Sequence, residues 1–274
     1  MRSRLSKNFS RWLTAALVLS AALVTGASAI TAATDPPRAL PKQVLDLVTL
    51  EFPPLQYADH AGVPQGPVVE VVRRVFDMLD IDVVIRVMPW VRSLDAVRKG
   101  EADAIFTAYR NPEREVFLDY SREVLLYQAV GLYARNGDNR RFNGDLESVK
   151  GTNIGTVSTI SYGRTFDRAR DRKMFRTDRA EDIDTSFRKL MAGRVDFVVS
   201  NRFTGRHELA RLGLTSEIEE LPMPIEVMPS HLAFSKARGH AKLRDRFDAA
   251  LNELKASGEY AKILSRHGIH PPRK

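Results

Sequence analysis

A two-lobed α/β fold is what this sequence predicts, on three observations. Short apolar, β-prone runs alternate with segments of helical periodicity along most of the chain, the pattern of right-handed strand–helix–strand crossovers and largely parallel sheets. The alternation comes in two blocks, separated at 136–151 by "NGDNRRFNGDLESVKG", rich in Gly, Asn and charge. With 29 residues set aside at the amino end, 245 of the 274 remain, a length that favours two lobes over one large core.

The set-aside segment, "MRSRLSKNFSRWLTAALVLSAALVTGASA", has a basic start without an acid, an apolar run from Trp12 to Val24, and Ala27-Ser28-Ala29. This is the three-part pattern of a secretory signal peptide, with small residues where the peptidase cuts. The apolar run is short for a membrane span; an uncleaved anchor is the alternative. Residues 1–29 are therefore kept out of the fold.

In the first block, "QVLDLVTLEF" reads as a strand at about 44–51, stopped by Pro53-Pro54. "PVVEVVRRVFDMLD" places Val68, Val72, Val75, Phe76 and Leu79 at helical spacing. "DVVIRVM" is a second strand ended by Pro89, "RSLDAVRKGE" a short helix capped at Gly100, and "ADAIFTA" a third strand. "LLYQAVGLYAR" is a long strand reaching Arg135. The second block repeats the plan: strand "NIGTV", a helix from about Tyr162, a short strand near "KMFRT", helix "DIDTSFRKLMAG", strand "VDFVVS" and helix "TGRHELARLG". "SEIEELPMPIEVMPSHLAFS" reads as two extended runs broken by Pro, the second leading back to lobe one. Two helices close the chain, the first with Leu243, Phe247, Leu251 and Leu254 on one face. The resulting division is lobe 1 at 41–134 plus 229–270 and lobe 2 at 135–228.

The formal charge of +8 falls to +4 without the four basic residues of the leader. The densest basic stretch, "GRTFDRARDRKMFRTDR", interleaves three Asp among seven cations and reads as a solvated face, with no case for nucleic acid. There is no cysteine, so stability must come from buried apolar area. The six histidines lack metal spacing, and no GxSxG, phosphate loop or HExxH occurs. Neither a metal nor a cofactor is expected.

One stretch carries chemistry, "FTAYRNPEREVFLDYS" at 106–121. Asn111 is a good N-cap and Pro112 a good first helical residue, so a helix starts directly after a buried strand. In open α/β sheets this strand-to-helix turn is where ligands bind. An arginine in the first turn faces the positive end of the helix dipole, which an intervening anion would relieve. Arg114 is therefore a candidate carboxylate clamp through a bidentate guanidinium. The alternative is a surface arginine paired with Glu113 or Asp119.

The wider series "LEFPPLQYADHAGVPQG", "MPWVRSLDAVRKGEADAIF", "NPEREVFLDYS", "NIGTVSTISYG", "GRVDFVVSN" and "LAFSK…LNELKASGEYAKIL" resembles, in order and over essentially the whole mature chain, the bacterial periplasmic solute-binding proteins (family 3-like) of amino-acid-type ABC importers. The resemblance implies a type II periplasmic-binding-protein, or Venus-flytrap, fold: two α/β lobes, each a mainly parallel sheet flanked by helices, joined by two hinge strands, with a ligand in the cleft between them. It implies a periplasmic, monomeric binder without enzyme activity, capturing a small molecule for an ABC permease or a membrane sensor. By the same resemblance Arg114 matches the arginine that clamps a ligand carboxylate, and Phe52 falls near the first-loop aromatic. Ser158, Thr159 and Ile160 sit where the second lobe offers backbone N–H groups and a hydroxyl. Asn201 stands where amino-acid binders have an Asp for the α-ammonium. Trp90 and Tyr109 are candidate cleft aromatics, although core packing serves Trp90 equally well.

Three departures matter. Asn201 is neutral, Asn111 replaces a frequent threonine, and Ser158 stands where the family usually has glycine. With the anion clamp present and the cation partner missing, an anionic or neutral solute is expected in preference to a standard α-amino acid. The hinge is expected near Ala134 to Gly137 and Val227 to His231. The alternative function is a periplasmic dehydratase or lyase on the same scaffold, for which Asp103, Glu70 and Glu226 are nominal acids, or an accessory role in a periplasmic dehydrogenase system.

Overall fold

The computed structural model describes residues 42–269 except 139 and 159; the leader expected at 1–29 and Thr159 lie outside the described residues. The first half runs β1 (Val44–Thr49), β2 (Tyr57–Ala58), β3 (Pro64–Gln65), α1 (Pro67–Met78), β4 (Asp82–Val87), α2 (Trp90–Lys99), β5 (Ala104–Tyr109), α3 (Pro112–Glu115), β6 (Leu118–Tyr120) and β7 (Leu126–Arg135). The second half runs β8 (Asn153–Val157), α4 (Arg164–Asp171), β9 (Arg176–Ala180), α5 (Ile183–Met191), β10 (Phe197–Asn201), α6 (Arg202–Leu212), β11 (Ile218–Ser235), α7 (Ala241–Ala256) and α8 (Glu259–Arg266).

One mixed sheet runs through the molecule in the order β4-β1-β5-β11-β7-β10-β8-β9, with β6 also on β11. The β4-β1-β5 and β10-β8-β9 sets are parallel, and β7 and β11 lie antiparallel to their neighbours. Each parallel set forms the sheet of one lobe, and the long antiparallel pair β7–β11 joins them. Helices α1, α7 and α8 bury Val68, Val72, Val75, Phe76, Phe247, Leu251, Ile263 and Leu264 against Leu45, Leu47 and Phe106 of the first lobe. In the second lobe, Phe166 of α4 packs among Val130, Leu132, Ile154, Tyr162 and Phe197, while Phe187 and Leu190 of α5 cover Tyr133 and Val198 on the opposite face. Each fully buried aliphatic or aromatic side chain contributes about 1.5–3 kcal/mol by leaving water, so two separate sets of such residues make two cores.

Local chemistry sets the ends. Asn111 accepts from the Arg114 N–H at 2.9 Å, Asp182 from Thr185 N–H at 2.7 Å and Asn201 from Phe203 N–H at 2.9 Å, each filling a helix-start donor. Gly100 and Gly213 close α2 and α6 in the left-handed region that suits glycine.

The structure adds detail at three places. The helix after Pro112 is a single turn, because the chain must return at once as β6 to pair with β11. The segment from 218 to 235 is one strand of 18 residues and not two. Its register shifts on either side of Pro224, and over 218–229 it pairs only with β7, leaving its other edge free to accommodate Pro222, Pro224 and Pro229. The two cores also divide β7 between them. Leu126 belongs to the first core and Val130, Leu132 and Ala134 to the second. The Asn136-Gly137 break marks the end of β7, whereas the crossing lies inside it, where the ladder to β11 runs on without interruption from Leu126 to Val130. The return crossing lies between Met228 and Leu232.

Candidate functional site

The carboxyl ends of β1, β5, β8 and β10 face the gap crossed by β7 and β11, and most of the residues singled out in the sequence lie there. Arg114 follows β5. Its guanidinium lies over the Trp90 ring, 5.0 Å from the centroid, and donates to the Tyr109 carbonyl at 3.1 Å. Among the described residues it makes no ion pair: Glu115 pairs with Arg110 at 3.4 Å and Asp119 with Arg244 at 2.6 Å. A surface pairing with Glu113 or Asp119 is therefore not what holds this side chain. Trp90, half-buried at the start of α2, packs against the core beneath and presents its face to the guanidinium, a cation–π contact. Asn111 spends its oxygen on the cap.

Tyr120 supports the same turn by donating its hydroxyl to the Tyr109 carbonyl at 3.0 Å. Burial pushes its phenol up to about 12 against the opposing pull of Arg114. Two residues before Tyr109, Thr107 has φ of 61°, a conformation that is strained for a β-branched residue and clusters at functional sites. Its hydroxyl receives the Gln56 amide at 2.8 Å, while the sealed Gln56 Oε1 finds no donor.

Tyr109 and Asn201, one from each lobe, are brought together by a residue the sequence reading passed over. The Tyr109 hydroxyl donates to Gln128 Oε1 at 2.9 Å and Asn201 Nδ2 to the same oxygen at 3.0 Å. Gln128 is on β7, midway through the crossing, and is 1% exposed. Burial raises the Tyr109 pKa, so its phenol stays a proton donor. The lobes also touch at the first loop. Phe52 packs on the first core, as does Phe203 of α6, and Thr204 donates to the Pro53 carbonyl at 3.3 Å.

The second-lobe loop differs from its expected part. The Ser158 N–H and hydroxyl both donate to the Ala180 carbonyl, at 3.0 and 3.1 Å, and the Ile160 N–H to Val157 at 3.3 Å. These donors serve the loop and the β8–β9 edge, and the Ile160 side chain is exposed. Tyr162 is in the second core, receiving the Val157 N–H at 2.8 Å. Of the three nominal acids, Asp103 lies before β5, at the sheet edge opposite the gap, and binds the Asp46 N–H and His240 at 2.8 Å each. Glu70 pairs with Arg266, the last residue of α8, and with His267 just beyond it. Glu226 accepts from the Thr165 N–H at 2.9 Å. No two of them form an acid–base pair. Among the described residues there is no cluster of three metal-binding side chains and no helix long and apolar enough to cross a membrane. Surface grooves of about 510 and 380 Å³ are lined by none of the nine residues named in advance.

Two α/β lobes joined by two strands define a two-lobed binding-protein fold. The chain belongs to the bacterial extracellular solute-binding proteins, family 3, whose model matches residues 47–270. Solved structures agree on the fold. A probable amino-acid ABC transporter extracellular-binding protein from Bacillus subtilis aligns with a TM-score of 0.69 at 17% identity, over 82% of this chain and 97% of that one. A histidine kinase sensor domain with similarity to periplasmic binding proteins aligns at 0.68 and 20%, over 84% and 99%. An ancestral arginine-binding protein bound to arginine aligns at 0.65 and 19%, over 82% and 98%. A search of the curated proteins finds no match.

Proposed function

We propose that this protein captures a small carboxylate-bearing solute in the gap between its lobes, in the periplasm, and delivers it to an ABC-type permease. The observation that carries the reading is the Arg114 guanidinium: aimed by Trp90 and the Tyr109 carbonyl, at the carboxyl edge of the first lobe, and without a carboxylate partner among the described residues. A bidentate carboxylate satisfies such a fork at about twice the strength of a neutral hydrogen bond. Phe52 and Trp90 supply apolar walls, Tyr109 and Asn201 the polar floor. Ser158 and Ile160 would offer their N–H groups to the solute only by giving up their present bonds. The neutral Asn201 has both ends of its amide engaged, which favours an anionic solute over an α-ammonium. The lobes divide at Tyr127–Ala129 and Met228–His231, and rotation there lets both share the solute. A membrane sensor as the recipient is the second reading, favoured by the sensor-domain likeness.

The test is mass spectrometry of small molecules released from the purified protein, followed by calorimetry and small-angle scattering with the molecule found. The expected result is a small acid that binds one to one and makes the protein more compact. Tight binding of an ordinary zwitterionic amino acid would overturn the anion preference; turnover of the acid would overturn the binder.

A further inference from the structure

We infer that Gln128, on the strand that joins the lobes, is itself a ligand residue: its amide nitrogen donates to an acceptor of the solute while its oxygen ties the two lobes together. The inference rests on the solute-binding reading and adds a donor to it.

The orientation of the amide follows from its neighbours. The Phe203 N–H is a donor only, so the Asn201 atom it meets, at 2.9 Å, is Oδ1. Asn201 therefore turns Nδ2 toward Gln128, at 3.0 Å, and the atom of Gln128 that receives it is Oε1. The Tyr109 hydroxyl donates to the same oxygen at 2.9 Å. A backbone donor thus sets two side-chain amides in series, and Gln128 Nε2 is left facing away from both partners. Its two N–H groups meet no acceptor among the described residues, although the residue is 1% exposed. Unlike Gln56 Oε1, this nitrogen is not sealed from solvent.

Position gives the group its meaning. Gln128 pairs with Met228 across β7 and β11, between Leu126 in one core and Val130 in the other. Its oxygen holds the ends of β5 and β10, so it sits on the floor of the gap where those edges meet. Open to solvent, the amide nitrogen can donate to water, and a carboxylate oxygen or carbonyl of the solute would take the place of that water. The neutral donor and Arg114 together favour an acceptor-rich guest. Any rotation of the lobes that broke the Tyr109 or Asn201 bond would also turn this donor, so solute contact and closure are coupled through one side chain.

Acetate, the smallest carboxylate guest, is the probe. In ¹H–¹⁵N spectra of the purified chain, the Gln128 side-chain amide and the Arg114 Nε–H, both assigned through their own backbones, are followed during an acetate titration. The expected result is that both shift with one midpoint. Movement of Arg114 with Gln128 still would overturn the inference and leave the carboxylate clamp standing. Movement of Gln128 alone would keep the donor and overturn the clamp. If neither moves, both fall.

Discussion

Arg114 shows how one side chain can be pre-set for a charge it does not yet meet. Three neighbours determine where it points: Asn111 caps its amide, the Tyr109 carbonyl takes one guanidinium hydrogen, and Trp90 lies beneath the plane. None of these contacts neutralises it. Lysine keeps the charge but not the fork or the stacking, so Arg114→Lys should raise the dissociation constant for the released acid about tenfold or more. Its thermal midpoint should barely move, because no ion pair is lost. Calorimetry and a melt on the same sample check both halves. Equal affinity in the two proteins would mean that the acid is held elsewhere.

Among the elements, α6 matters most to the way the lobes meet. Its first residues supply the Phe203 N–H that orients Asn201, the Phe203 ring that packs on the other lobe, and Thr204, which reaches the Pro53 carbonyl. The helix can lie this close to β7 because Gly205 has no side chain. A Cβ there would fall 2.4 Å from the Tyr133 ring carbon and hydroxyl. Tyr133 cannot yield easily, as its ring packs edge-on against Phe187 at 5.5 Å and its hydroxyl bonds the Arg202 carbonyl at 3.2 Å. Gly205→Ala should therefore destabilise the protein by about 1–3 kcal/mol, the usual cost of overpacking, despite alanine's better helix propensity. Denaturant unfolding measures it, and a variant as stable as the parent would show that the helix shifts freely.

For the molecule as a whole, the antiparallel pair β7–β11 does two jobs, completing the sheet of each lobe and carrying the crossing. Acid should loosen this region through His231, on β11 beside the first-lobe edge. Burial first, and Arg110 second, lower its pKa below the ordinary 6.5, with the Glu123 and Ser121 contacts and Asp248 opposing. The imidazole is thus held neutral in the fold while the unfolded chain takes up a proton near 6.5. Between the lowered value and 6.5 the unfolded state binds more protons, so stability rises with pH across that window and falls on acidification. Below the folded value the slope from this residue vanishes. Unfolding free energies at a series of pH values, compared with those of His231→Gln, test this: the variant should lose that part of the slope, and an identical slope would assign it to other groups.

What could be read directly from residue order was whatever neighbours in the chain enforce. Apolar spacing marked α1 and α7, Asn111-Pro112 marked the start of α3, and the run of motifs pointed to the family and its two lobes. These signals are short-ranged, since a period or a cap is made by residues a few places apart. Gln128 could not be picked out that way. In "LLYQAVGLYAR" it is one polar residue in a strand, and its partners lie 19 and 73 positions along the chain. The place of the lobe crossing, the bonds that occupy Ser158 and Ile160, and the lack of an acid partner for Arg114 among the described residues were likewise decided by folding. Each depends on which donor meets which acceptor once distant strands are in register, a choice that local composition does not contain.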